Sequence, residues 1–121
     1  PQFKCPQSND LYTTATSTKG NKALTYPIGL ITADEVAYAG GVDGEINNNY
    51  YLVNNELFWT MSPFSSASVA FVWIVVPVGY LDYGDVISGF GVRPAINLKS
   101  TAEIIDGGNG TLNNPYVIKV N

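Results

Sequence analysis

The sequence predicts an α+β domain: one short early helix followed by a small, irregular, mostly antiparallel sheet. Three observations carry that prediction. A capping signature at 32–35 and a Gly-Gly pair at 40–41 bracket a short helix. From residue 57 onward, short apolar and aromatic runs alternate with glycine-marked turns, the pattern of strands. The chain has 121 residues, 45% hydrophobic and 12% aromatic, which suits one domain around one core. Residues 1–121 are therefore read as a single domain, with 1–25 a less regular lead-in.

The lead-in is polar and turn-rich, with SND at 8–10 and KGNK at 19–22. Residues 26–31 form a short apolar strand or approach segment. Thr32 is placed as the helix N-cap, and Glu35, three residues on, reaches back to complete a capping box. Asp34 and Glu35 also suit the positive end of the helix dipole. Gly40 and Gly41 supply a left-handed stop after roughly two turns, with Val36 facing a core. Residues 42–55 read as loop, with DG at 43–44, NNN at 47–49 and a segment at 50–53 able to pack. Strands are expected at 57–61, 68–76, 79–81, 91–98 and 116–120, with turns at Gly79, Gly84, Gly89 and 106–110. Helix first and strands after is the order of an α+β domain.

Composition excludes several classes of function. Histidine is absent, which removes the commonest general base, the usual triad member and the main metal ligand together. Cys5 is the single cysteine, so no disulfide closes within the chain and no histidine activates the thiol. Three carboxylate pairs remain: Asp34/Glu35, Asp43/Glu45 and Asp82/Asp85. The first is explained by capping, and the others sit in glycine-rich turns where acidic residues are routine. No catalytic residue, cofactor or metal site is assigned. The 106–114 segment is rich in oxygen donors but lacks the alternating acidic ligands of a calcium loop, so it reads as a tight connection. Net charge is −4 and six basic residues are scattered, so no basic stripe exists for nucleic acid. The longest apolar run, 69–78, is too short to span a bilayer as a helix, so membrane insertion is not expected. The charged fraction is only 13%, with Gly, Asn, Ser, Thr and Tyr in its place, a surface common on secreted and phage-borne β-rich proteins.

Two stretches carry more information. In GVRPAINL (91–98), Val92, Ala95, Ile96 and Leu98 read as buried strand positions, and Arg93 as a structural group that forms an ion pair or caps backbone carbonyls. The stretch 62–90 contains no Lys, Arg, Glu, Gln, Met or Asn, in a chain otherwise rich in asparagine. Core strands account for 69–75. They account poorly for apolar and aromatic residues in or beside turns, which mark a contact surface. The expected ligand-binding surface comprises Phe64, Ser65, Ser68, Ile74, Val76, Pro77, Tyr80, Asp82, Tyr83, Asp85 and Ile87. Tyr and Phe would act as rigid anchors and Asp and Ser as directional hydrogen bonders. So apolar a patch suits a protein ligand or cell-surface receptor better than a carbohydrate. The alternative is a structural or adhesive surface module in which 62–90 is simply packed inside.

The segments YPIGLITADEVAYAGG (26–41), FWTMSP (58–63), GVRPAINL (91–98) and GGNGTLNNPYVI (107–118) together resemble C-type-lectin-like domains of the formylglycine-generating-enzyme-like branch. The resemblance implies a mixed domain whose terminal strands pair and whose small irregular sheet presents a ligand surface. Catalytic members of that branch use cysteines in the later half, where this chain has none. The EPN, QPD and WND triplets of calcium-dependent lectins are absent too. The chain is most similar in these respects to variable proteins of diversity-generating retroelements, displayed on cell surfaces and phage virions. There, randomised adenines in asparagine codons reach Phe, Ser, Ala, Ile, Val, Pro, Tyr, Asp and Gly, but never Lys, Glu, Gln, Met or Trp. Positions 64–68, 74, 76–78, 80, 82–85 and 87 carry residues of the reachable set, and Trp73 would be fixed scaffold.

Overall fold

A computed structural model describes the chain apart from residues 3, 5, 10, 14–16, 67, 106, 110–113, 120 and 121. Cys5 and most of the 106–114 connection therefore lie outside the described residues. The elements run β1 (Gly29–Leu30), α1 (Ala33–Ala39), β2 (Phe58–Ser66), β3 (Ala70–Val75), β4 (Leu81–Asp85), β5 (Pro94–Ala95), β6 (Glu103–Ile105) and β7 (Val117–Lys119). This is a small α+β domain with one short helix and antiparallel sheets, in the order the sequence predicts.

The helix ends are built as their residues dictate. Thr32 Oγ1 accepts the Glu35 N–H at 3.1 Å, and the Glu35 carboxylate accepts the Thr32 N–H at 2.8 Å. This box satisfies backbone donors that a helix start leaves unpaired. Gly40, at φ 126°, closes the other end, its N–H shared between the Val36 and Ala37 carbonyls. At seven residues, α1 is about 10 Å long.

The central sheet is an antiparallel meander in the order β2-β3-β4. Its β3–β4 turn is built by sequence. Pro77 has its φ pre-set for the turn, the Gly79 N–H returns to the Val76 carbonyl at 2.9 Å, and Gly79 adopts φ 86°. A Cβ on Gly79 would come within 1.9 Å of the Asn47 carbonyl oxygen, because the 42–53 loop lies against this turn. The core forms where Val36 of α1 meets Phe58, Val75 and Leu81, closed by Leu52 from the loop. Thr60 is buried among them. It donates to the Trp73 carbonyl at 2.7 Å and so keeps its polar oxygen satisfied.

Arg93 serves as a structural clamp of the carbonyl-capping kind. Its Nη1 donates to the Leu52 carbonyl at 2.6 Å, and its guanidinium lies 4.6 Å from the centre of the Phe58 ring. The FWTMSP motif is likewise structural through Ser62: Phe58 fills the core, the Met61 N–H reaches the Ile31 carbonyl, and Ser62 Oγ accepts the Ala33 N–H at the helix start.

Several expectations need correction. The third strand is Leu81–Asp85 rather than 79–81, because Gly79 belongs to the turn and Tyr80 follows it. The 91–98 segment contributes only Pro94–Ala95, paired with β1. Consequently Val92, Ala95, Ile96 and Leu98 are exposed rather than buried, Val92 and Ile96 at 65% each. A two-residue ladder gives those side chains no layer to pack against. Strand β6 lies outside the strands expected from sequence, and β7 is shorter than 116–120. Among the described pairings the first and last strands do not meet: β1 pairs with β5, and β7 with β6.

Candidate functional site

One face of the central sheet carries both the core and the candidate site. Side chains two apart on a strand share a face. On β3 that places Phe71 and Trp73 beside Val75, and on β4 Tyr83 and Asp85 beside Leu81. The register agrees, since Val75 opposes Leu81, Trp73 opposes Tyr83 and Phe71 opposes Asp85. Near the β3–β4 turn this face is covered by α1. Nine residues of β2 extend about 30 Å, three times the span of the helix. The face therefore runs out from under its cover and emerges at the β2–β3 turn.

Where it emerges, four aromatic rings gather. Phe64, displaced by the irregular register around Pro63, lies parallel to Tyr83 with centroids 4.4 Å apart and an 8° interplanar angle. Trp73 meets Phe64 edge-on at 4.9 Å, and Phe71 meets Tyr83 edge-on at 5.5 Å. Such offset and edge-to-face contacts hold rings rigidly. Phe64 and Tyr83 bridge the strand between them while remaining exposed, Tyr83 at 50%. Exposed Val69, Val86 and Ile87 extend the apolar surface.

The expected contact residues divide into three groups. Phe64, Ser65, Ser68, Tyr83 and Ile87 are exposed at the free end of the sheet, Ile87 at 89%, and half-buried Asp85 borders them. Pro77 and Tyr80 are half-buried at the opposite end, at the turn held by the Asn47 N–H and the Tyr50 hydroxyl. Ile74 and Val76 are not on the exposed surface: at 4% and 9% exposure they are interior residues. Ile74 falls on the other face, where it flanks Gly84 close to Phe90, and Val76 closes the turn through its N–H to the Tyr80 carbonyl. Asp82 is also on that other face, half-buried, its Oδ1 accepting the Tyr83 N–H at 2.8 Å. Phe71 and Trp73, absent from the expected set, complete the ring cluster. Their two-residue spacing, matched by Tyr83 and Asp85, was the available signal.

Among the described residues the remaining carboxylates do not converge. Asp82 and Asp85 point to opposite faces of β4. Glu35 is committed to the capping box, and Asp34 Oδ1 accepts the Gln2 N–H at 2.6 Å. A cleft of about 600 Å³ lies between the lead-in, the start of α1 and β2, bordered by Tyr12, Met61 and Trp73. Among the described residues no three His, Cys, Asp or Glu side chains are placed to hold a metal, and no helix is long and apolar enough to cross a membrane. Tyr50 has its pKa raised by burial, opposed by the nearby Arg93 charge. Its hydroxyl donates to the Gly79 carbonyl at 2.6 Å, a structural bond. No family model, curated protein or solved structure matches this chain.

Proposed function

We propose that this chain is a non-catalytic display domain of C-type-lectin-like fold that binds a protein ligand or receptor outside the cell, on a cell surface or phage virion. The observation that carries this reading is the cluster of Phe64, Phe71, Trp73 and Tyr83, continuous with the core through half-buried Phe71 and Trp73 and open to solvent at Phe64 and Tyr83. Buried aromatics need no such exposure to stabilise a sheet, and exposed rigid rings are what binding surfaces use as anchors. Retroelement diversification of the exposed positions 64, 65, 68, 83 and 87, and of half-buried 85 beside them, is part of the same proposal. It fits a surface whose scaffold is fixed by Phe58, Thr60 and Arg93 while its rim tolerates exchange.

The second reading, a fixed structural or adhesive module, draws on the packing of Ile74, Val76 and Tyr80, which places part of 62–90 inside. The two readings separate by panning a displayed random-peptide library on the whole chain. The display reading expects enriched peptides whose binding is lost in a Phe64→Ala/Tyr83→Ala double variant that still melts cooperatively. Peptides bound equally well by the double variant, or none enriched over background, would favour the fixed module.

A further inference from the structure

We propose that the aromatic end of the sheet receives a guanidinium group, an arginine side chain presented by the partner protein, against Asp85 and the Phe64–Tyr83 rings. This rests on the display-surface reading and names the partner chemistry of that same site.

Asp85 carries a charge that is not balanced within its sheet. Asp85 shares the face of Phe71 and Tyr83, directly opposite Phe71 in the ladder. Directly opposed residues hold their Cβ atoms about 5 Å apart, so a surface that covers the rings also covers this carboxylate. Asp85 Oδ1 accepts one hydrogen bond, from the Ile87 N–H at 3.1 Å. Among the described residues no cation pairs with it. Residues 57–92 contain no Lys, Arg or His, and Arg93 is committed to the Leu52 carbonyl and the Phe58 ring. The ion pair among the described residues, Lys119–Glu103, belongs to the β6–β7 sheet.

A purely apolar partner would therefore strip water from a carboxylate and leave it unpaired, a heavily penalised arrangement. A cation removes that penalty, and the rings beside it favour the same charge through their electron-rich faces. Between the two cationic side chains, the planar guanidinium both stacks on rings and donates to a carboxylate in a fixed geometry, whereas an ammonium is a compact hydrated charge. Overall charge agrees in sign, with −4 on the chain attracting a basic partner.

The test is an NMR titration of the whole chain, isotopically labelled, with acetyl-Leu-Arg-Leu-amide. The control peptide carries citrulline, its uncharged isostere, in place of arginine. At low salt the arginine peptide should shift the amides of residues 64–65 and 83–87 and bind roughly five- to tenfold tighter than the control. Asp85→Asn should abolish that difference while preserving the spectrum of the remaining domain, and Glu56→Gln should keep it. Equal binding of the two peptides at these amides would overturn the guanidinium assignment and leave the display surface standing. A preference that survives in Asp85→Asn would overturn it as well. Absence of shifts at 64–65 and 83–87 with either peptide, together with a library panning that finds no ring-dependent binder, would remove both proposals.

Discussion

Replacing Arg93 by methionine separates scaffold from site most cleanly. In the native chain the guanidinium donates to the Leu52 carbonyl at 2.6 Å and lies over the Phe58 ring at 4.6 Å. Methionine keeps much of the apolar stem but abolishes both contacts. A hydrogen bond from a charged donor contributes about 1.5–3 kcal/mol. A cation on a ring adds about 0.5–1 kcal/mol at partly exposed sites. Because Arg93 is half-buried and water can reach the freed carbonyl, the lower part of the combined range applies, about 2–3 kcal/mol. For a domain of this size that corresponds to a fall in Tm of roughly 8–15 °C. Urea and thermal melts followed by circular dichroism give the number directly. Arg93→Lys should recover less than half of the loss, since an ammonium cannot both lie flat on the ring and reach the carbonyl with the same geometry. A methionine variant within about 0.5 kcal/mol of the native chain would refute the clamp.

Other consequences are equally direct. Gly79→Ala should destabilise by about 2 kcal/mol or more, because φ 86° and a carbonyl 1.9 Å from the new Cβ both oppose it; a melt within error of native would contradict the turn geometry. Thr32→Ala should cost about 1 kcal/mol by opening the capping box, and amide exchange should rise in the first turn of α1 before the β2–β3–β4 sheet is affected. Burial raises the Tyr50 pKa above its ordinary 10.0, so the neutral phenol is the form the fold favours. Its contribution is complete below the unfolded value and is lost as pH rises through the folded one, so Tm should fall above pH 10. Tyr50→Phe should lower Tm at neutral pH, through the lost bond to Gly79, and make that alkaline decline shallower.

The parts of the fold legible in sequence are those specified by local chemistry. Thr32, Glu35 and Gly40 each act within one helical turn, and the helix begins and ends where they place it. Pro77 and Gly79 likewise fix their own turn. What sequence concealed depends on the neighbours a segment meets. Ile96 and Leu98 look like core residues by alternation, yet β5 pairs only with the two residues of β1, and both side chains stay exposed among the described residues. Ile74 and Val76 stand near a turn, which reads as surface, but the 42–53 loop and Phe90 enclose that end of the sheet. The same ignorance hid Phe71 and Trp73. Their apolar run implied burial, and only the short span of α1 relative to β2 exposes the surface they help to build.

The central claim is that a fixed scaffold presents exchangeable contact residues at the free end of the sheet. The most direct measurement is the DNA sequence around the native gene, searched for a near-copy of codons 62–98 beside a reverse-transcriptase gene. The expected copy differs where it carries adenine, with the differences at codons 64, 65, 68, 83, 85 and 87 and none at Trp73 or Val75. A flanking sequence without any such copy, or one whose differences fall on the buried codons, would contradict that claim.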